Sequence, residues 1–326
     1  MKRKLKSLRH FLELIPLLPL LGIFRILPFS WCMHAADKLS PLIAALFPIR
    51  KGIVIRNIRQ AFPQKGKREI KKLTRETYRN FLLFTVEFLF LAQKKKERLV
   101  DQTDSAPSYI EESQGNKPSY PCITEIEGEQ YFHEVGGGKK GYLILTAHLG
   151  NWELMGAIFA GRGVPLSVLA KPIHNLYLNR FINRVRKAKG MEVMSTRGTP
   201  MKAVLKALQS DRRVVFLADQ DARKAGVFVD FFGKAASTFS GPALFSLRSG
   251  LPILPVFDVR TSLFSHKVIF LPPIYPPTNE VKQGKMDRDD AIRHITQQHV
   301  KKLEEIIRQY PNQYFWFHRR WKSQPV

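Results

Sequence analysis

The chain has 326 residues, which is long enough to bury one large hydrophobic core. Its 53 Lys and Arg against 27 Asp and Glu give a net charge of +26, which indicates anionic partners. Hydrophobic residues make up 44% of the chain, and the motifs of helix-turn-helix, zinc-finger and single-strand-binding proteins are missing, so we expect no nucleic acid partner. The chain has only two cysteines, Cys32 and Cys122, and their wide separation indicates no disulfide framework.

The amino terminus combines a basic cluster at residues 2–9 with an apolar run at residues 11–24. Glu13 and two prolines interrupt this run, and a spanning helix needs about 20 apolar residues. A small-residue cleavage site is also missing, which argues against a removed signal peptide. We expect residues 1–30 to form a membrane anchor or an interfacial helix whose basic flank stays in the cytoplasm. A helix buried against the rest of the protein is the alternative.

Residues 31–100 are predicted to form a helical region. Residues 101–121, which are rich in small and polar residues, are predicted to form a linker or loop. Within the helical region, residues 81–91 are almost all apolar. A helix that is apolar all round is usually buried in protein, so we favour core over a lipid-facing surface or an acyl-chain channel. The catalytic domain is then expected at residues 122–326.

The most informative segment runs from His148 to Glu153. The apolar, β-prone residues 142–147 place His148 at the carboxyl end of a buried strand. Gly150 permits a tight turn, and Asn151 is a good N-cap for a helix that starts at Trp152. Glu153 then lies in the first turn of that helix, where it can meet His148.

A histidine held by a carboxylate is a common general base, because the carboxylate fixes the ring tautomer and stabilises the imidazolium. We therefore predict a catalytic dyad of His148 and Glu153. Serine and cysteine nucleophile motifs are missing nearby, which favours single-step acyl transfer to a substrate hydroxyl over an acyl-enzyme. The alternative is a structural histidine followed by a helix-capping glutamate.

Strands and helices alternate after residue 142, which predicts an α/β fold with a largely parallel, mixed central sheet flanked by helices. Asp219 and Asp221 follow a buried strand, so they lie at the edge of the sheet where such folds bind ligands. The predicted strands cover residues 142–147, 166–170, 191–195, 213–218, 252–258 and 266–271.

Several blocks, taken in order, resemble the bacterial lipid A biosynthesis acyltransferases, the lauroyl and myristoyl transferases of the lysophospholipid acyltransferase superfamily. The segment from Thr146 to Glu153 is similar to the signature block of that family. A glutamate at position 153 is typical of the lipid A branch, whereas many glycerolipid-acylating relatives have an aspartate. The other matching blocks are residues 56–63, 219–221, 229–233, 236–238, 251–256 and 313–322.

The resemblance implies transfer of a fatty acyl chain from an acyl carrier protein thioester to a hydroxyl of a lipid A precursor, at the cytoplasmic face of the bacterial inner membrane. A coenzyme A donor and a lysophospholipid or other glycolipid acceptor stay open. The resemblance implies neither a metal nor a cofactor. The expected substrate-binding residues are Asn151, Arg184, Arg186, Asp219, Asp221, Arg319 and Arg320.

Two other classes of protein are alternative hypotheses. If the protein were a basic membrane-binding module without catalytic activity, replacement of His148 would leave the set of acylated lipids unchanged. A metal-dependent hydrolase would lose activity on chelation, but the chain has no HExxH motif to support it.

Overall fold

A computed structural model describes residues 22, 26–93, 122–136, 141–196 and 200–325. Most of the expected amino-terminal anchor and the whole expected linker at residues 101–121 lie outside these ranges. Over the described part of the chain, no helix is both long enough and apolar enough to cross a bilayer.

Within the described residues, the amino-terminal part contains the helices α1 (Phe29–Leu46), α2 (Lys51–Ala61) and α3 (Lys67–Gln93). Helix α1 packs along α3, where Phe29 meets Phe90 edge-to-face at 5.0 Å. The residues of the apolar run 81–91 are buried or partly buried, which confirms the prediction that this segment belongs to the core.

The remainder alternates strands and helices, as the sequence predicts. The strands are β1 (Cys122–Glu127), β2 (Leu143–Thr146), β3 (Leu166–Ala170), β4 (Glu192–Ser195), β5 (Arg213–Leu217), β6 (Val227–Phe231), β7 (Lys234–Thr238), β8 (Ile253–Arg260) and β9 (Ser265–Phe270). The helices are α4 (Glu129–Gly136), α5 (Trp152–Gly161), α6 (Leu176–Ala188), α7 (Pro200–Gln209), α8 (Gly241–Ser249), α9 (Thr278–Lys282) and α10 (Arg288–Gln309).

Seven strands form one sheet in the order β1-β9-β8-β2-β5-β3-β4. The strands from β8 to β4 run parallel, and the β8–β9 pair is antiparallel, so the sheet is largely parallel and mixed at one edge. All six predicted strands are present, and the fold class is confirmed. The edge strand β1 and the β6–β7 hairpin are not predicted from the sequence, because they are short and carry polar residues.

The amino-terminal helices are joined to the sheet by a common hydrophobic core. Val54 and Ile58 of α2 pack in one cluster with Phe257 of β8 and with Tyr314 and Trp316 near the carboxyl terminus. The segment that follows α10 therefore closes over the carboxyl edge of the sheet, where Leu149 forms an isolated bridge with Tyr314.

Candidate active site

Strand order brings His148 and Asp219 together. Strands β2 and β5 are parallel neighbours, and their last residues, Thr146 and Leu217, face one another in register. His148 and Asp219 each lie two residues beyond those ends. Both side chains therefore emerge at the same point on the carboxyl edge of the sheet, where α/β folds bind ligands.

The contact between them is a pair of hydrogen bonds. His148 Nδ1 lies 2.8 Å from Asp219 Oδ1, and the His148 backbone N–H donates to Asp219 Oδ2 at 3.2 Å. Asp219 is buried, which raises the pKa of a carboxyl, but the charge and hydrogen bonds of His148 outweigh burial. The pKa of Asp219 consequently lies well below its ordinary value, and the side chain is a carboxylate at neutral pH.

This geometry fixes the histidine tautomer. An ionised Asp219 accepts the Nδ1 proton, so neutral His148 carries its lone pair on Nε2. The His148 side chain is 22% exposed, and its ring lies edge-to-face on Trp152 at 4.8 Å. Trp152 stacks in turn on Phe84 of α3 at 4.4 Å. His148 thus combines a carboxylate partner with partial access to solvent, as a general base requires.

Glu153 has a different partner from the one expected. Its two carboxylate oxygens accept hydrogen bonds from Arg186 of α6, from Nε at 3.0 Å and from a terminal nitrogen at 2.5 Å. Trp152 Nε1 also donates to Glu153, at 3.2 Å. The prediction that Glu153 orients His148 therefore needs correction, because the carboxylate that contacts the imidazole belongs to Asp219. Glu153 instead anchors Arg186, which is one of the predicted cations.

The Glu153–Arg186 pair borders a narrow apolar pocket between α5 and the sheet. The free space amounts to about 30 Å³, enough for water but not for a fatty acyl chain. Two flexible methionines, Met155 and Met191, contribute to its wall, so the pocket can widen if they change rotamer. Its apolar lining is completed by Ile144, Phe159, Leu166, Val168, Val215 and Leu217.

Two residues expected to bind substrate are buried and form hydrogen bonds within the protein. Asn151 caps α5 by accepting from the Leu154 N–H at 3.0 Å, which confirms the predicted N-cap. Its backbone N–H donates to Asp258 and its side-chain amide donates to Glu87, so Asn151 holds the turn in place. Arg320 is also buried, and its guanidinium bonds to Ser237 and Thr238 of β7. Burial and these internal hydrogen bonds favour a structural role for both residues over direct substrate binding.

The other expected residues differ in their exposure. Arg184 and Arg186 are two positions apart on α6 and therefore face different ways, which leaves Arg184 exposed. Arg319 is exposed as well. Asp221 is partly buried and accepts from the backbone and hydroxyl of Ser323, so it secures the carboxyl-terminal segment. Across the described ranges, no three His, Cys, Asp or Glu side chains are grouped to hold a metal ion.

Comparison with known proteins gives the family. The family model described as "Bacterial lipid A biosynthesis acyltransferase" matches residues 1–323. The chain belongs to this acyltransferase family. It is similar to the lipid A biosynthesis palmitoleoyltransferase of Escherichia coli (strain K12), with 24% identity over 92% of this chain and 88% of that protein. The lipid A biosynthesis lauroyltransferase of the same strain is 24% identical over the same shares.

A second group of similar proteins is named for a different lipid, phosphatidylinositol mannoside. The phosphatidylinositol mannoside acyltransferase of Mycolicibacterium smegmatis is 28% identical over 120 residues, which are 36% of this acyltransferase and 40% of that protein. The family and its relatives establish the activity class: the protein is an acyltransferase that needs an acyl donor and a lipid acceptor.

Proposed function

We propose that this acyltransferase moves a fatty acyl chain from an acyl carrier protein thioester to a hydroxyl of a lipid A precursor. The observation that carries the chemistry is the 2.8 Å contact between His148 and the buried Asp219. The acceptor is proposed from the family match along residues 1–323 and from the names of the two similar transferases.

The proposed reaction takes place in one displacement. His148 Nε2 takes the proton of the acceptor hydroxyl while its oxygen forms a bond to the thioester carbonyl carbon. Asp219 stabilises the imidazolium through Nδ1. When the carbon–sulfur bond breaks, the sulfur leaves as a thiolate and takes a proton from the imidazolium. The products are an ester and a free thiol, and His148 is neutral again.

The pocket beside Glu153 and Arg186 is proposed to hold the acyl chain. Its lining is apolar, and the residues that border it include Trp152, whose ring contacts His148. Because the free space is too small for a chain, binding has to move the flexible Met155 and Met191. Arg186, fixed by Glu153, places a positive charge at this border, where it can balance charge that develops on the thioester oxygen.

The donor is proposed to be a carrier protein because of the charge on α6. Arg180, Arg184 and Lys187 form an exposed stripe on this helix, at spacings of four and three residues, and α6 contains no acidic residue. Arg186 lies on the opposite side of the same helix, where it pairs with Glu153 at the border of the pocket. An acidic carrier that docks on this stripe would therefore be held close to the acyl site.

A location on the cytoplasmic face of the inner membrane is proposed from helix α1 and the segment after it. Large apolar side chains stand exposed there, including Trp31 at 67%, Leu46 at 64% and Phe47 at 63%. Lys38, Arg50 and Lys51 are exposed in the same stretch, and Asp37 is paired with Arg79. An apolar face with basic neighbours suits an anionic bilayer.

The test compares the wild type with His148→Ala in detergent, with carrier-protein and coenzyme A thioesters of several lengths. A Kdo-modified tetra-acylated lipid A precursor and lysophosphatidic acid are offered together, and products are read by mass. The exposed His294 on α10 provides the control, His294→Ala.

Acylation of the lipid A precursor from the carrier-protein donor supports the proposal if it is lost in His148→Ala and kept in His294→Ala. Transfer to lysophosphatidic acid instead would overturn the acceptor. A preference for coenzyme A would overturn the donor, and activity in His148→Ala would overturn the general base.

A further inference from the structure

A cluster of charged side chains lies buried behind the active-site turn. It consists of Glu87 on α3, Asp258 and Arg260 on β8, and His266 on β9. Glu87, Asp258 and His266 have no exposed surface, and the Arg260 side chain is 7% exposed. We call these four residues the buried charge cluster.

Ion pairs and hydrogen bonds connect all four residues. Arg260 donates to both carboxylate oxygens of Glu87, and Glu87 also faces His266 Nε2 at 3.0 Å. His266 Nδ1 lies 2.8 Å from Asp258 Oδ1. Burial lowers the pKa of His266, but Asp258 and Glu87 outweigh burial and raise it to about 9. The imidazole is therefore protonated at neutral pH, and two positive charges face two negative ones.

The cluster ends on the turn that carries His148. The Asn151 backbone N–H donates to Asp258 Oδ1 at 2.6 Å, and Asn151 Nδ2 donates to Glu87 Oε2 at 2.8 Å. Gly150 lies against the Asp258 backbone so closely that a Cβ there would come within 2.0 Å of the Asp258 carbonyl oxygen. Asn151 is only three positions beyond His148, and it also caps α5.

Stability alone does not account for this arrangement. Transfer of four charged groups out of water is costly, and apolar residues of similar size at buried ion-pair sites are often as stable or more stable. What the cluster adds is a fixed position for Asn151, because two carboxylates from different elements hold its backbone and its side chain.

We propose that Glu87, Asp258, Arg260 and His266 are positioning residues that act through Asn151 to hold His148 against Asp219. This inference rests on the proposed role of His148 as the base. It also gives the amino-terminal helices a part in catalysis, because Glu87 belongs to α3 and reaches the turn of the α/β part directly.

The test uses two substitutions that disturb the cluster to different degrees. Glu87→Gln keeps the shape of the side chain and removes its charge. Asn151→Ser keeps a good N-cap and the backbone N–H to Asp258, and loses only the hydrogen bond to Glu87, so it leaves no unpaired buried charge. The control is Asp37→Asn, which breaks the ion pair between α1 and Arg79 of α3 and leaves Asn151 untouched.

Each variant is assayed for kcat and KM with the lipid A precursor at a temperature well below its own melting point. We expect kcat to fall at least tenfold in Asn151→Ser and in Glu87→Gln with KM within about twofold, because misplacement of a base affects the transition state. Asp37→Asn should lower the melting temperature without a change in kcat.

The possible results distinguish a failure of this inference from a failure of the proposal that His148 is the base. If His148→Ala is inactive while Asn151→Ser keeps the wild-type kcat, the positioning role is overturned and the base stands. If His148→Ala remains active, the base fails, and the positioning role fails with it. Should Glu87→Gln not fold, Asn151→Ser decides alone, since it retains the cap and leaves no charge unpaired.

Discussion

Arg186 donates two hydrogen bonds to Glu153, one to each carboxylate oxygen, and both side chains are largely buried. A bidentate pair of this kind fixes the guanidinium in one orientation. The signature block of this acyltransferase therefore contributes to two ion pairs. His148 at its start pairs with Asp219, and Glu153 at its end sets the position of a cation at the border of the apolar pocket.

The first prediction concerns the carboxylate on His148. Asp219→Asn keeps the size of the side chain and removes its charge, so the ring loses both its imidazolium partner and its preferred tautomer. We expect kcat to fall by about 10²- to 10⁴-fold. Asp221→Asn, two residues away, should keep kcat within a few-fold, because Asp221 contacts Ser323 and not the imidazole. Equal losses in the two variants would contradict the assignment.

The second prediction concerns Glu153, the carboxylate of the signature block that pairs with Arg186 and not with His148. If Glu153 acts through Arg186, then Glu153→Gln, Arg186→Gln and the double variant should show a coupling energy of about 1 kcal/mol or more in chemical denaturation. Each single substitution leaves a largely buried charge without its partner, which costs up to about 3 kcal/mol. Additive effects within about 0.5 kcal/mol would mean that the ion pair contributes nothing specific.

Much of this site could be predicted from the sequence because it depends on local signals. The strand, the glycine turn and the Asn151 cap lie within ten residues of one another, and each has a local physical cause. The position of Asp219 at the carboxyl edge also follows from a buried strand. Its contact with His148 does not, because it requires β2 and β5 to be neighbours, and two other strands separate them in the chain.

The buried charge cluster was missed, although the sequence contains one signal for it. Glu87 is the single charged residue in the apolar run 81–91, and an acidic residue in a buried helix needs a partner. Its charged partners lie on β8 and β9, more than 170 residues later, so only the fold reveals them. The same limit applies to Arg320, whose burial follows from the closure of the carboxyl-terminal segment over β7.

The third prediction is a pH dependence of stability that arises from His266. Its pKa is raised from 6.5 to about 9 in the folded protein. Below about pH 6.5 the imidazole is protonated in both states, and its full contribution is present; as the pH rises toward 9, only the folded state keeps the proton. The stabilisation is therefore lost between these two values, by at most roughly 3 kcal/mol.

Urea unfolding of the wild type and of His266→Gln at several pH values checks this dependence. The difference in unfolding free energy between the two proteins should shrink as the pH rises from about 6.5 to about 9. Other groups that titrate in this range cancel in the comparison. A difference that stays constant across the range would show that the folded pKa is not raised.

The fourth prediction compares two glycines with positive φ. Gly150 has a φ of 59° and lies against Asp258, whereas Gly163 has a φ of 85° and open space where a Cβ would be. Gly163→Ala should cost about 1 to 2 kcal/mol of stability, from backbone strain alone, and keep its activity. Gly150→Ala adds a clash with backbone, so we expect a larger loss of stability and of kcat. Similar behaviour of both variants would show that the turn tolerates displacement.

The last prediction addresses acyl chain length and rests on the proposed acyl pocket. A Cβ at position 156 would lie 3.0 Å from the Met191 sulfur, and both residues line the pocket, so we expect Gly156→Ala to reduce its free space. Met191→Ala has the opposite effect, because it removes three heavy atoms from the wall. We expect Gly156→Ala to favour shorter donors and Met191→Ala to favour longer ones, by about one to three kcal/mol per methylene in kcat/KM.

Competition between thioesters of different lengths, with products read by mass, measures this preference directly. Leu176→Ala is a suitable control, because Leu176 is an exposed apolar residue on α6 and does not line the pocket. Opposite shifts in Gly156→Ala and Met191→Ala, with no shift in the control, would identify the depth of this pocket as the determinant of chain length. If both variants shift in the same direction, the acyl chain lies elsewhere, since one substitution fills the pocket and the other empties it.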